Sequence, residues 1–293
     1  MLKGSLVALV TPMLKNGDID VVAFKKLIDF HIQEHSDALV IVGTTGESAT
    51  VNFDEHYQLI EIAVQHAQKR IPIIAGTGAN ATQEAISLSQ AAQQLGADAC
   101  LLVTPYYNKP TQEGLYRHFM SIADSVDIPQ ILYNVPSRTG SDLSNNTILR
   151  LSTHPHIVGV KDATGDITRG YELILRSPAD FALYSGDDSS ALAFLLLGGQ
   201  GVISVTANIA PSLMHSLCVA AQEGDFAEAR RINAQLFTLH QHLFVEANPI
   251  AVKWLLAEMG LIEHGIRLPL TPLDVTYHSL LREAARAVNI HLK

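Results

Sequence analysis

Residues 38–47 read ALVIVGTTGE, in which five consecutive apolar residues lead into a turn of glycine and threonine. A short, continuous apolar run bounded by turn residues is typical of a strand that is buried on both faces of a parallel sheet. The runs IPIIA at 71–75 and LLV at 101–103 have the same character. These segments therefore predict a parallel sheet that is covered on both sides.

Similar apolar runs recur along the chain, and a stretch with helical periodicity follows each of them. They begin at Leu6, Leu39, Ile71, Ala99, Gln130, Ile157, Phe181 and Gly201. Their mean spacing is about 28 residues, which fits one strand and one helix per unit. Eight such units predict an α/β protein built on a (β/α)8 TIM barrel.

The last part of the chain departs from this repeat. We expect residues 1–224 to form the barrel and residues 225–293 to form a C-terminal extension of three helices. The first helix is expected at about 225–244, the second to open at Asn248-Pro249 and close near Gly260, and the third to open at Thr271-Pro272. In the last two, a proline at the first helical position is the signal.

The composition limits the kinds of molecule that the protein is expected to bind. Of the 293 residues 47% are apolar and 17% charged, and the net charge is −9. This excludes a disordered chain and disfavours nucleic acid and anionic lipid as partners. The longest apolar runs are far shorter than the ~18 residues of a membrane span. We expect a soluble, cytoplasmic protein in which Cys100 and Cys218 are buried, reduced thiols.

Polar residues gather where the predicted strands end, which is the functional face of such a barrel. The segments are GTTGE at 43–47, TPYY at 104–107, YNVPSR at 133–138, KDA at 161–163, SGDD at 185–188 and SVT at 204–206. One lysine, three tyrosines, several hydroxyls and an arginine are therefore expected to converge on one mouth of the barrel.

Lys161 stands out among them. A lone lysine after a strand is ordinarily a solvated charge. At the barrel mouth, however, it would be partly desolvated, which favours the neutral amine that attacks a ketone and forms a Schiff base. The Tyr133 phenol, one strand away, can carry a proton, and the Thr44 hydroxyl can orient it. This relay needs no metal and no other cofactor.

Two further features suit carboxylates. Backbone N–H groups in the turn at 43–46 precede a helix and are suited to bind one carboxylate. The Arg138 guanidinium offers a planar fork to a second carboxylate, although a surface salt bridge is an equally simple interpretation of this residue.

The motifs GTTGE at 43–47, YNVPSRT at 133–139 and VGVKD at 158–162 resemble those of the 4-hydroxy-tetrahydrodipicolinate synthase (dihydrodipicolinate synthase) family. The resemblance covers the whole chain without large gaps. It implies a Schiff-base lyase that forms a pyruvate adduct on Lys161 and condenses it with L-aspartate 4-semialdehyde on the route to lysine.

The resemblance also implies roles for individual residues. Tyr133 would be the proton carrier, joined to Thr44 and to Tyr107, the last from a neighbouring subunit of a homotetramer. Thr45 would bind the pyruvate carboxylate and Arg138 the semialdehyde carboxylate, while the main chains of Gly186 and Ile203 would line the pocket.

A feedback site for L-lysine is implied as well. It maps onto Ser48, Ala49, His56, Asn80, Glu84 and Tyr106. Lysine-sensitive members often carry a histidine where this chain has Phe53, so we expect inhibition by L-lysine to be weak or moderate.

Two other functions remain open from the sequence. A different pyruvate-type Schiff-base aldolase, such as an N-acetylneuraminate lyase or a keto-sugar-acid aldolase, would share Lys161 and Tyr133. Arg138 separates the two, because a second carboxylate needs it and sugar hydroxyls do not. A barrel that only binds a keto acid or an amino acid as a sensor is the other alternative, and the set of Lys161, Tyr133, Thr44 and Tyr107 argues against it.

Three patterns imitate other sites. HIQEH at 31–35 matches the H-x-x-E-H motif of zinc proteases, but we expect it in the last turn of the first helix, with both histidines on one face. GTGANA at 76–81 imitates a dinucleotide fingerprint, which is weak evidence in a barrel. Asp187 and Asp188 precede a helical run and are interpreted as a helix N-cap rather than as a metal site.

Overall fold

The computed structural model describes residues 2–292 and contains a closed barrel of eight parallel strands in sequence order. The strands are β1 (Gly4–Ala8), β2 (Ala38–Ile41), β3 (Ile73–Gly76), β4 (Ala99–Val103), β5 (Gln130–Asn134), β6 (Ile157–Asp162), β7 (Ala182–Ser185) and β8 (Gly201–Ser204). The predicted TIM barrel is confirmed, and each strand begins within two residues of its predicted start.

Helices lie between the strands and after the last of them. They are α1 (Val21–Gln33), α2 (Phe53–Ala67), α3 (Thr82–Leu95), α4 (Gln112–Ser125), α5 (Pro136–Thr139), α6 (Asn145–Leu151), α7 (Ile167–Arg176), α8 (Ala191–Leu196), α9 (Pro211–Glu223), α10 (Phe226–His242), α11 (Ile250–Glu258) and α12 (His278–Ala287). Short 3-10 segments occur at Ser48–Thr50, Thr206–Asn208 and Val275–Tyr277.

Both faces of the strands are buried, as the continuous apolar runs predicted. One apolar cluster fills the barrel interior and includes Leu6, Val40, Ile74, Ile131 and Ile203. A larger cluster packs the outer face of the strands against the helices. Because side chains alternate between these two faces along a strand, seven of the strands supply buried residues to both clusters, and β6 packs the partly buried Val158 against the interior one.

The segment between β2 and α2 is held by local hydrogen bonds that start the helix. The Asn52 side chain accepts from the Glu55 amide at 2.9 Å, and the Glu55 carboxylate accepts from the Asn52 amide at 3.0 Å. This reciprocal capping box satisfies two backbone donors that the helix itself leaves free. The start of α2, and so the length of the loop before it, is fixed by sequence.

Three helices follow α9, as expected, but two of their predicted starts need correction. Pro249 is the N-cap residue of α11 and not its first helical residue. The third helix does not open at Thr271-Pro272: it begins at His278. The Asp274 side chain accepts from the Thr276 amide at 2.8 Å and starts a 3-10 turn first. The division of the chain at 224 and 225 stays a prediction.

For two of the patterns that imitate other kinds of site, the structure differs from the prediction. Helix α1 ends at Gln33, so His35 lies beyond it and the two histidines do not share a helical face. His31 is buried, and its Nδ1 lies 3.0 Å from the Ser36 hydroxyl. Asp188 is not a helix cap, because its Oδ2 accepts from the amides of Val205 and Thr206, both at 3.0 Å.

Asp187 and the glycine-containing stretch at 76–81 are the remaining patterns that imitate other kinds of site. Asp187 accepts from the Ser190 amide at 2.9 Å, one residue before α8, which agrees with its interpretation as a capping group. The stretch at 76–81 connects β3 to α3 as one of the eight equivalent strand-to-helix turns of the barrel.

Candidate active site

Lys161 lies inside the barrel between two tyrosines. It is 5% exposed, and in the strand register it pairs with Tyr133 of β5 on one side and Tyr184 of β7 on the other. Its Nζ lies 4.2 Å from the centre of the Tyr133 ring, within the range of a cation–π contact. The amine and the phenol predicted to act together are therefore adjacent.

The carboxylate of Asp162, the residue after Lys161 on β6, points away from the barrel interior. Adjacent residues on a strand face opposite sides of a sheet, so Asp162 faces the helices while Lys161 faces the interior. Asp162 Oδ2 lies 3.2 Å from Arg169 Nε, and its Oδ1 accepts from the Thr164 amide at 3.0 Å. Burial raises the pKa of Asp162, and Arg169 opposes this shift. Asp162 is thus bound to Arg169 on the outer side of the barrel.

Gly186 makes room for the lysine. A Cβ atom at this position would lie 2.9 Å from Lys161 Cε and 2.7 Å from Ala163 Cβ, closer than side-chain carbons approach in proteins. The Gly186 amide donates to the Asp162 carbonyl at 2.7 Å. Ile203 is buried on β8, in the interior cluster that also contains Tyr133. Glycine at 186 is therefore required by the position of the Lys161 side chain.

The loop after β2 brings Thr44 and Thr45 to the same mouth. Its turn is closed by backbone hydrogen bonds from Gly46 to Gly43 at 3.0 Å and from Glu47 to Thr44 at 3.1 Å. Thr45 is buried, and its hydroxyl accepts from Asn248 Nδ2 at 2.9 Å. Thr44 is half-buried.

Arg138 reaches the same asparagine. It lies on the four-residue helix α5 and is exposed, and its guanidinium donates to the Asn248 carbonyl at 3.3 Å. Asn248 precedes α11, so one residue of the C-terminal region contacts both side chains that are predicted to bind carboxylates. The geometry leaves the remaining donors of the Arg138 fork available to a ligand.

A cavity of about 290 Å³ opens beside these residues. Its walls are formed by Thr44, Glu47, Ser48, Ala49, Thr50, Val103, Tyr106, Val135, Arg138, Thr139, Asn248, Pro249, Pro269 and Leu270. Thr44 and Arg138 belong to this wall, whereas Lys161 and Tyr133 lie in the buried barrel interior.

Tyr107 is not brought together with the others in the single chain. It is 89% exposed and has a left-handed backbone with φ of 74°. Its amide donates to the Thr139 carbonyl at 3.3 Å, which places its backbone near the cavity wall while its side chain faces outward. An aromatic residue so exposed has a large apolar area available for contact with another surface.

A second cavity of about 390 Å³ lies next to the first. Five of the six residues predicted to bind lysine line it, namely Ser48, Ala49, His56, Glu84 and Tyr106. The sixth, Asn80, donates from its amide to the Tyr106 carbonyl at 3.2 Å. Phe53 also lines this cavity, and Ser48, Ala49, Val103 and Tyr106 line both cavities.

Two polar side chains that line the second cavity have shifted pKa values. His56 Nε2 lies 2.8 Å from the Gly76 carbonyl, and its Nδ1 is buried without a hydrogen-bond partner within residues 2–292. Burial lowers the pKa of His56. Burial also raises the pKa of Tyr106, and the nearby Glu84 carboxylate adds to that shift. The wall therefore offers a neutral imidazole and a carboxylate.

The residues by which the C-terminal region contacts the site are not among those predicted from the sequence. Glu47 and Lys253 form a buried ion pair, and Asn248 binds Thr45 and Arg138. One signal was available in the sequence: Lys253 is the only lysine or arginine in the apolar run IAVKWLLA at 250–257. Its partner lies 206 positions earlier in the chain, and no local pattern marks it.

Between residues 2 and 292 no group of three or more His, Cys, Asp or Glu side chains is arranged to hold a metal ion, and no helix is long and apolar enough to span a membrane. Cys100 and Cys218 are free and buried, as predicted. Burial raises the pKa of Cys100 to about 11, so its thiol is protonated at neutral pH.

Comparison with known proteins agrees with this geometry. The sequence model of the dihydrodipicolinate synthetase family matches residues 1–288. A 4-hydroxy-tetrahydrodipicolinate synthase of Nitrosospira multiformis is 63% identical over 291 residues, which cover 99% of this chain and 97% of that protein.

Solved structures superpose over nearly the whole chain. The chloride-inhibited dihydrodipicolinate synthase of Acinetobacter baumannii, complexed with pyruvate, matches with a TM-score of 0.98 and 55% identity over 99% of this chain and 100% of that one. The enzyme from Cyanidioschyzon merolae, with lysine bound, matches with a TM-score of 0.96 and 37% identity over 99% of each chain. The chain is a member of the dihydrodipicolinate synthetase family.

Proposed function

We propose that the chain is a 4-hydroxy-tetrahydrodipicolinate synthase, which condenses pyruvate with L-aspartate 4-semialdehyde on the route to lysine. The observation that carries this proposal is the placement of Lys161 beside Tyr133 inside a closed barrel. The names of the relatives and the pyruvate bound in the Acinetobacter structure support it.

Lys161 is the nucleophile of the proposed reaction. Its neutral amine attacks the ketone carbon of pyruvate, and loss of one water leaves an imine. Loss of a proton from the methyl group turns the imine into an enamine, whose terminal carbon forms a bond with the aldehyde carbon of the semialdehyde. The aldehyde oxygen takes up a proton in that step and becomes a hydroxyl group. The position of the buried Lys161 side chain beside Tyr133, inside the barrel, supports this role.

Tyr133 carries protons to and from the adduct, with Thr44 and Tyr107 continuing the relay. The contact between Tyr133 and Lys161 supports the first step. Tyr107 belongs to the relay of a neighbouring subunit in a proposed homotetramer. Its 89% exposure in the single chain supports that arrangement, since the side chain is available to a second subunit.

The two carboxylates bind at different places. Thr45 and the turn at 43–46 bind the pyruvate carboxylate, and Arg138 binds the semialdehyde carboxylate. Their common attachment to Asn248 supports a fixed spacing between these two positions. The main chains of Gly186 and Ile203 line the pyruvate pocket.

L-Lysine binds in the second cavity as a feedback inhibitor. The groups available there are the Glu84 carboxylate for the ligand's ammonium and the buried His56 Nδ1 as a hydrogen-bonding atom. The lysine bound in the Cyanidioschyzon structure supports a lysine site in a relative of the same fold. The proposal also includes a cytoplasmic location.

Trapping with borohydride tests the proposed function. The chain is incubated with pyruvate, reduced, digested and examined by mass spectrometry. We expect one reduced pyruvate on the peptide that contains Lys161, and none in Lys161→Ala. Lys25→Ala, at an exposed position on α1, is the matched control and should trap pyruvate as the wild type does. Label on other lysines with none on Lys161 would contradict the proposal, as would the absence of synthase activity with both substrates.

A further inference from the structure

A buried ion pair joins the C-terminal region to the loop after β2. The Glu47 carboxylate and the Lys253 ammonium are in contact, and their side chains are 1% and 4% exposed. Buried charges are strongly destabilising unless they are paired and hydrogen-bonded. Neither residue has a part in the proposed chemistry, so the pair needs a separate explanation.

Glu47 has a constrained backbone. It ends the turn at 43–46 with φ of 58°, a left-handed conformation that non-glycine residues rarely adopt. Such a conformation persists only where the surroundings hold it. Here Oε1 contacts Lys253 Nζ, and Oε2 accepts from the Arg267 amide at 3.3 Å. The side chain of Glu47 is therefore anchored from two places in the C-terminal region.

The same region contacts both sides of this turn. On one side Asn248 donates to the Thr45 hydroxyl at 2.9 Å. On the other the Arg267 guanidinium donates to the Thr50 carbonyl at 2.8 Å and pairs with Glu55. Lys253 binds between these two contacts, at the residue where the turn becomes the 3-10 segment Ser48–Thr50.

We propose that Glu47 and Lys253 are positioning residues, whose ion pair fixes the turn carrying Thr44 and Thr45 and so sets the affinity for the carboxylate of the keto-acid substrate. This inference rests on the proposed function, because it assigns that carboxylate to Thr45 and the turn at 43–46. Glu47 lines the first cavity, but its carboxylate is bound to Lys253 and to the Arg267 amide, so the pair acts through the backbone of the turn.

Removing both charges together separates positioning from stability. Glu47→Gln and Lys253→Met each leave one buried charge without its partner, and either variant can fold poorly for that reason alone. The double variant Glu47→Gln/Lys253→Met has no buried charge at these positions and similar side-chain volumes. We expect its melting temperature to be close to that of the wild type.

The readout is the KM for each substrate. In the double variant we expect the KM for pyruvate to rise about tenfold, with the KM for the semialdehyde changed by less than about threefold. Arg282→Met is the matched control, because Arg282 joins α12 to Glu258 of α11 and contacts neither the turn nor the cavity. It should leave both KM values as in the wild type.

Three results would overturn the inference. They are an unchanged pyruvate KM in the double variant, an equal rise for both substrates, and the same rise in Arg282→Met. Failure of the proposed function looks different, because the wild type itself would then form no adduct on Lys161. A wild type that traps pyruvate, with a double variant that binds pyruvate normally, contradicts the positioning role alone.

Discussion

Tyr133 and Lys161 occupy paired positions on adjacent strands, and the Lys161 Nζ lies 4.2 Å from the centre of the Tyr133 ring. The aromatic ring therefore lies against the amine, while the hydroxyl at its end is the group that we propose to exchange protons. Removing the hydroxyl keeps the contact between the ring and the amine but abolishes proton exchange by the phenol.

The variant Tyr133→Phe separates the two. We expect the kcat of the synthase reaction to fall by about 10²-fold or more, the usual contribution of a positioned proton carrier. The pyruvate adduct on Lys161 should still form on longer incubation, since the ring remains. Steady-state kinetics and borohydride trapping measure the two quantities, and a kcat equal to that of the wild type would contradict the role of the phenol.

Arg138→Ala should affect one substrate only. Loss of a charged hydrogen-bonding partner is expected to lower kcat/KM for the semialdehyde about 10- to 100-fold. Trapping of pyruvate should be unchanged, because Arg138 lies on the cavity wall and Lys161 in the barrel interior. Arg150→Ala, on α6 and bound to Glu113, is the control. Unchanged semialdehyde kinetics in Arg138→Ala would remove the main argument against a sugar-acid aldolase.

Gly186→Ala should displace the nucleophile. The new methyl would lie 2.9 Å from Lys161 Cε and 2.7 Å from Ala163 Cβ, so both neighbours must shift. We expect kcat/KM for pyruvate to fall about 10²-fold, as for other small displacements of a reacting group. The double variant Gly186→Ala/Ala163→Gly removes the contact with Ala163 but keeps the contact with Lys161. This double variant should melt at a higher temperature than Gly186→Ala but should be no more active. Recovery of both the melting temperature and the activity would show that Lys161 was not displaced.

Phe53 should limit the response to L-lysine. It lines the second cavity, and its ring offers no hydrogen-bonding group to a ligand there. Phe53→His should lower the lysine concentration for half-inhibition about fivefold, the value of roughly one hydrogen bond. Phe53→Leu is the control and should not tighten inhibition. Inhibition of the wild type at micromolar lysine would contradict the prediction.

Buried histidines should make the fold sensitive to mild acid. Burial lowers the pKa of His118 to about 4 from its ordinary value of 6.5. Between these two values the unfolded chain binds a proton that the folded chain does not. The stability that His118 contributes is therefore complete above pH 6.5 and is lost as the pH falls toward 4, by up to roughly 3 kcal/mol.

Melting temperatures between pH 7 and pH 4.5 measure this effect. His118→Phe should flatten the decline, at the cost of the contact between His118 Nδ1 and the Thr82 hydroxyl, which lie 2.9 Å apart. His291→Phe, at an exposed position, is the control and should decline as the wild type does. An identical slope in His118→Phe and the wild type would show that this residue does not set the acid response.

Strand positions were predictable because a parallel barrel imposes a local signature. The predicted starts at Ala99, Gln130, Ile157 and Gly201 coincide with the observed ones, since a polar residue or a proline directly precedes each of them. Pro272 misled the prediction of the last helix. Proline is compatible with a helix start but does not require one, and the turn begun by Asp274 delays α12 to His278.

The parts of the site that depend on distant contacts were not predictable. The sequence shows that Lys253 lies in an apolar run, but its partner Glu47 is determined by how α11 packs on the barrel. The exposed Tyr107 side chain presents the converse case. Its motif predicts a place in the site, whereas in the single chain its side chain has no contact with the other site residues, and the proposed role requires a second copy of the chain.

Ser48, Ala49, Val103 and Tyr106 each line both cavities, and this shared wall restricts how the protein can change over evolutionary time. A mutation in the shared wall alters two volumes at once, so selection on either acts on both. Residues that line the second cavity alone, such as Phe53, His56 and Glu84, carry no such double constraint. Inherited differences in inhibitor response should therefore accumulate at these positions, while the shared wall stays nearly constant among descendants.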